Sequence, residues 1–158
     1  MFKKILYPTD FSECSAKALE YVTRLKNCGA EEVVALYVID EREVRAMTII
    51  SAGWLKSMSA QYEREVQEKM EEAGREKLEG VKTKIENAGL KAITKMAVGI
   101  PFTEIVKVAE EEDASLIVLG SHGKSNIEEV LLGSVSENVI KKAKRPTLVV
   151  AREGAPNV

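Results

Sequence analysis

The sequence predicts an α/β fold, an open, doubly wound parallel sheet of five strands with helices on both faces. Three observations carry this. Five short runs rich in β-formers punctuate the chain, at residues 4–7, 33–39, 92–98, 116–119 and 147–151. Two of them, VVALYVI and LIVL, are apolar nearly throughout instead of alternating. Such runs suit strands covered on both faces. Helical patterns separate the runs, and strands alternating with helices build a parallel sheet with right-handed crossovers.

The elements follow in order. After the first strand, residues 12–27 place Ala18, Leu19, Val22 and Leu25 near one helix face, and Gly29 is the expected stop. After the second strand, residues 41–60 read as irregular, with an apolar patch of Met47, Ile49, Ile50, Trp54 and Leu55. Two readings are open: a lid or extension packed on its own domain, or a partner surface. Val66, Met70, Ala73, Val81, Ile85 and Ala88 then recur at helical steps. Gly74 and Gly80 are expected to interrupt this helix, and Gly89 to end it. Beyond the third strand, Pro101 falls at a first helical position, followed by Ile105, Val106 and Ala109. The last helix carries Val135, Val139, Ile140 and Ala143 and stops before Pro146. One domain over residues 1–152 is expected, with a tail at 153–158.

Composition narrows the function. The 158 residues hold 23 basic and 25 acidic side chains, a net charge of −2. That balance gives no overall pull toward nucleic acid or anionic lipid. The two cysteines, Cys14 and Cys28, rule out a disulfide scaffold, and their spacing fits no redox pair or zinc knuckle. Both are expected to be inert. A single histidine, His122, excludes the usual His-based zinc sites and triads. Neither a targeting segment nor a membrane-length apolar run is visible, so a cytoplasmic location with reduced thiols is expected.

Ligands of open α/β sheets bind beyond the carboxyl ends of the strands, where strand order reverses. The residues there are Pro8-Thr9-Asp10, Val38 with Asp40, Gly99-Ile100-Pro101, and Gly120-Ser121-His122-Gly123-Lys124-Ser125-Asn126. Gly120 and Gly123 let backbone N–H groups approach an anion, while Lys124 adds charge and Ser121 and Ser125 add hydroxyls. Gly133-Ser134 follows ten residues after Gly123. The spacing of Ser134 and Glu137 is that of a capping box, which makes Ser134 the expected N-cap of the last helix. A helix start is itself an anion site. Each feature alone could be a plain turn or a plain cap; together they point to a polyphosphate. Asp10 could cap the first helix, touch a nucleotide base or help hold a metal ion. A P-loop fails because position 118 is valine, and the dinucleotide fingerprint fails because Pro8-Thr9-Asp10 stands in its place.

The pattern Gly120-x2-Gly123-x9-Gly133-Ser134 resembles the ATP-binding signature of the universal stress protein family. Lys4 to Ser12, Leu36 to Asp40 and Ser134 to Val150 are also similar to that family, closest to its short archaeal members. The resemblance implies strand order 3-2-1-4-5 and an adenine nucleotide site. Pro8, Thr9, Asp10 and Val38 would meet the base, and Gly120 to Asn126 the ribose and phosphates. Gly133, Ser134, Val135 and Ser136 would hold the phosphates. It also implies ATP, with Mg or Mn carried through the phosphates, and a homodimer through the strand from Thr147 to Ala151. Two functions remain: a nucleotide-dependent switch in stress response that acts on an unidentified protein partner, or a slow ATP hydrolase or adenylyl- or phosphoryl-transfer enzyme. No catalytic residue is assigned, and the first reading leads because no Walker-B acid or arginine finger is evident.

Overall fold

In a computed structural model, which describes residues 1–57, 59–123 and 132–151 (backbone alone at 54–57), five strands form one parallel sheet. They are β1 (Lys4–Pro8), β2 (Glu32–Asp40), β3 (Lys91–Gly99), β4 (Leu116–Gly120) and β5 (Thr147–Val150). Their order is β3-β2-β1-β4-β5. Ile5 pairs with Val33 on one side and Leu116 on the other, and Gly120 pairs with Val150. Strands β1 to β4 each run one residue past the apolar stretch, which brings Pro8, Asp40, Gly99 and Gly120 to the sheet's carboxyl edge. β5 stops at Val150, one residue short of the expected end.

The helices are α1 (Glu13–Arg24), α2 (Glu41–Ser57), α3 (Ala60–Asn87), α4 (Pro101–Glu111) and α5 (Ser134–Lys142). Successive strand residues point to opposite faces. Ile5, Tyr7, Val33, Ala35 and Tyr37 therefore pack with Ala18, Leu19 and Val22 of α1 and Leu78, Val81 and Ile85 of α3. Leu6, Val34, Leu36, Ile117 and Leu119 pack with Ile105, Val108 and Ala109 of α4 and Val139 of α5. Two cores thus sandwich the sheet, and each strand contributes to both. Pro101 opens α4, a position where the missing N–H costs no intrahelical bond.

Three expectations need correction. Residues 41–57 are helical, not irregular, with one non-helical residue, Gly53, at φ 73°. Val44 and Thr48 of α2 are buried, while Met47 and Ile50 face solvent. Helix α3 is continuous through Gly74 and Gly80 over 28 residues. Gly74 is buried against Tyr37, and a β-carbon there would lie 2.5 Å from the Tyr37 ring. Close approach, not helix breaking, is why glycine fits that position. Helix α1 ends at Arg24, and a 3-10 turn, Leu25–Cys28, completes the segment before the left-handed Gly29. The tail at 153–158 and the side chains of Trp54 and Leu55 lie outside the described residues.

Candidate functional site: a cleft at the carboxyl edge of the sheet

The sheet order reverses between β1 and β4, and a cleft of about 320 Å³ opens there. That volume is at the lower end of the range for small-ligand sites. Its walls include the ends of three strands and a helix start. Pro8, Thr9 and Asp10 follow β1; Val38 and Asp40 close β2; Gly120, His122 and Gly123 follow β4; and Gly133, Ser134, Val135 and Ser136 begin α5.

The β1–α1 turn is built by its own side chains. Ser12 caps α1, accepting from the Ser15 N–H at 3.3 Å. Asp10 is therefore not the cap: its Oδ1 accepts from the Ser12 N–H at 3.0 Å, one step earlier. The other oxygen, Oδ2, faces Gly123, where a β-carbon would lie only 2.8 Å away. Thr9 is buried, donates to Ser15 Oγ at 3.1 Å, and accepts from the Phe11 N–H at 3.0 Å. Tyr7 donates to the Ser15 carbonyl at 2.7 Å, and burial pushes its hydroxyl above the ordinary range.

The two glycine segments meet. The Gly133 N–H donates to the Ser121 carbonyl at 2.7 Å. Ser136 Oγ donates to the Gly120 carbonyl at 2.8 Å and lies 3.1 Å from that of Ser121. Helix α5 starts at Ser134, with Gly133 as its N-cap, so the capping box is not formed. Gly133 has no side chain to cap with, and the first N–H groups of a helix have no partner within it. Gly133, Ser134, Val135 and Ser136 line the cleft, so the helix start brings its partial positive charge to that wall. Gly120 is wedged against α1: a β-carbon there would lie 2.8 Å from the Cys14 carbonyl carbon.

Ser121 is buried, bonded through Oγ to His122 Nδ1 at 2.9 Å, and is not part of the cleft wall. Lys124, Ser125 and Asn126 lie outside the described residues. Sequence reasoning missed several wall residues. Leu36 shares its sheet face with Val38 and Asp40 at two-residue steps, and Ile105 lies one helical turn after Pro101. Those spacings were the available signals. Arg42 had none: its guanidinium folds back onto Asp40, with contacts of 2.5–3.2 Å, and that carboxylate holds it firmly protonated. Asp40 Oδ1 also accepts from the Arg42 N–H at 2.9 Å, as a helix N-cap does. Cys14 and Cys28 are free thiols, the first buried and the second exposed. Among the described residues, no three His, Cys, Asp or Glu side chains converge as a metal-binding group, and no helix is long and apolar enough to cross a membrane.

The open sheet, with its cleft at the reversal of strand order and a glycine-lined helix start on one wall, places the chain in the doubly wound α/β class. The sequence model of the Universal stress protein family matches residues 1–151, and the chain belongs to that family. It is 49% identical over 160 residues to Universal stress protein MJ0577 of Methanocaldococcus jannaschii, covering 98% of each chain. The solved structure of MJ0577 superposes with a TM-score of 0.85 at 47% identity, over 98% of this chain and 99% of that one. The universal stress protein of Archaeoglobus fulgidus solved in complex with dAMP shares the fold, with a TM-score of 0.59 at 20% identity, over 95% and 98% of the two chains. A universal stress protein solved in complex with cAMP does so too, with a TM-score of 0.58 at 22% identity, over 95% and 97%.

Proposed function

We propose that this protein binds ATP in the cleft and acts as a nucleotide-dependent switch in the stress response. The observation that carries the reading is the junction of the two glycine segments, Gly120 to Gly123 with Gly133 to Ser136, at an uncapped helix start beside a cleft of about 320 Å³. The α5 N–H groups and the loop after β4 suit phosphates, which are anionic and acceptor-rich. Val38, Leu36, Pro101 and Ile105 offer an apolar wall for a flat base. Two fold relatives were solved in complex with adenine nucleotides, cAMP and dAMP, the ligand class this reading takes. Asp10 is the carboxylate that faces the glycine loop, so a Mg or Mn ion would be carried mainly by the phosphates, with Asp10 beside it. Cytoplasmic action on a protein partner belongs to the same reading.

Homodimerisation is proposed through β5. It is an edge strand of four residues with Leu148 exposed, and its outer N–H and C=O groups would pair with a second copy. Light scattering of the purified protein tests this; a monomer at micromolar concentration would refute it.

The nucleotide reading is tested by denaturing freshly purified protein, identifying released small molecules by mass spectrometry, and titrating ATP with Mg²⁺ by calorimetry. Bound adenine nucleotide, or micromolar ATP binding with turnover near background, is expected. The absence of both released nucleotide and binding heat would refute the site, and rapid multiple turnover would replace the switch with a hydrolase.

A further inference from the structure

Phe11 lies next to Asp10 and has a left-handed backbone, φ 62°. Glycine reaches that conformation freely, but an aromatic residue does so only against steric resistance. Here the ring is held from two sides. Its centroid lies 4.8 Å from that of Tyr37, tilted by 49°. The Lys77 ammonium of α3 lies 5.4 Å from the same ring centre. Tyr37 is seated against Gly74, one helical turn before Lys77, where no side chain intervenes. Below the ring, the Phe11 N–H is fixed to Thr9 Oγ1, and the Ser12 N–H to Asp10 Oδ1. The strained residue is therefore over-determined by its surroundings, as persistent strain requires. Its conformation sets the direction in which the chain leaves Asp10, whose free-facing oxygen meets Gly123.

We propose that Phe11 is a positioning residue for the nucleotide site, locked in the left-handed conformation by Tyr37 and Lys77 so that Asp10 is aimed at the glycine loop before ligand arrives. The inference rests on the nucleotide reading of the cleft. It also makes α3 a wall of the site at one remove, since α3 supplies Lys77 itself and, at Gly74, the seat of Tyr37. Preorganisation of this kind raises affinity by removing an ordering cost from binding.

The test is a calorimetric titration of ATP with Mg²⁺ into the full chain and the variants Phe11→Ala, Phe11→Gly and Phe11→Tyr. Melting temperatures of all four proteins accompany the titrations. Alanine loses the ring and resists the left-handed region, so affinity should fall about tenfold. Glycine loses the same ring but keeps the conformation accessible, so the loss should be only about threefold. Tyrosine should match the parent. A ring that served packing alone would give the opposite order, because glycine removes more than alanine. In an Asp10→Asn background, exchanging Phe11 for Ala should change affinity less than about twofold, since the two residues act as a unit. Glycine binding as weakly as alanine, or full additivity with Asp10→Asn, would overturn the proposal. If Phe11→Ala does not fold, the Phe11→Gly and Phe11→Tyr pair decides: equal affinity in both overturns it, and a loss in glycine that vanishes with Asp10→Asn supports it. Absence of binding by the parent protein would refute the nucleotide reading itself. Binding by the parent that is indifferent to Phe11 would refute only this inference.

Discussion

The two ends of the sheet are built on opposite plans. At the amino ends of the strands, charged side chains fill the edge and satisfy one another. Lys4 Nζ reaches Glu112 at 2.7 Å and Glu32 at 3.1 Å; Glu32 also takes Lys91 at 2.5 Å, and Glu112 takes Lys95. At the carboxyl ends, the chain removes side chains instead. Gly120, Gly123 and Gly133 line the cleft, and each faces backbone or carboxylate atoms within 3.2 Å of a hypothetical β-carbon. One end is closed by its own charges. The other opens into a cleft lined by those glycines and the start of α5. The same fold thereby divides stability and binding between its edges.

Substitutions at the two edges should separate these roles. The largest effect is expected at Gly120→Ala. The new methyl group would meet the Cys14 carbonyl carbon at 2.8 Å and the carbonyl oxygen at 2.9 Å, and helix backbone cannot swing aside. A destabilisation of about 3 kcal/mol is expected, roughly 6–12 °C in melting temperature by calorimetry. An unchanged melting temperature would mean that α1 and β4 are not in contact here. Gly123→Ala should act on binding instead. Its β-carbon would displace only the Asp10 carboxylate, at 2.8 Å, on an exposed turn. ATP affinity should fall about tenfold, with stability changed by less than about 0.5 kcal/mol. A loss of stability as large as that at Gly120 would erase the distinction.

The smallest effect belongs to the closed end. Glu112→Gln should cost about 0.5–1 kcal/mol, less in high salt, because its partners are partly exposed. It should leave ATP affinity untouched. The pH dependence has a definite sign. Hydrogen bonds from Lys4 and Lys95 hold Glu112 below the ordinary 4.5, and one from Lys91 does most to depress Glu32. Their contribution is complete above the unfolded value and disappears as pH falls through the lower folded value. Lys4, raised above 10.5 chiefly by Glu112, contributes below its unfolded value and loses that contribution as pH rises through the folded one. Melting curves of the parent and Glu112→Gln should therefore converge under acid. Parallel curves from neutral to acid pH would refute the ion-pair account.

The sequence made the sheet readable because buried parallel strands need long apolar runs, and it made the glycine junction readable because its spacing is fixed by backbone approach. The details that escaped have other causes. Helix α2 was obscured because Met47 and Ile50 are exposed while Thr48 is buried, so its polarity does not follow the helical period cleanly. Gly74 looked like a breaker because its partner, Tyr37, is distant in sequence. Ser134 looked like a cap because the motif is local, yet the chain enters the helix one residue earlier. The left-handed turn at Phe11 escaped because the groups against its ring, Tyr37 and Lys77, are distant in sequence.

Strand β2 and helix α2 share a junction without a loop: Asp40 ends the strand and Glu41 begins the helix. Asp40 and Arg42 both border the cleft. The helix is uninterrupted from Glu41 to Ala52, a rigid arm of about 18 Å. Pivoted at Asp40, a tilt of about 10° would sweep its far end through about 3 Å. A small displacement at the mouth of the cleft would thus be magnified into a surface change at Ile50, the kind of output that a second molecule can read.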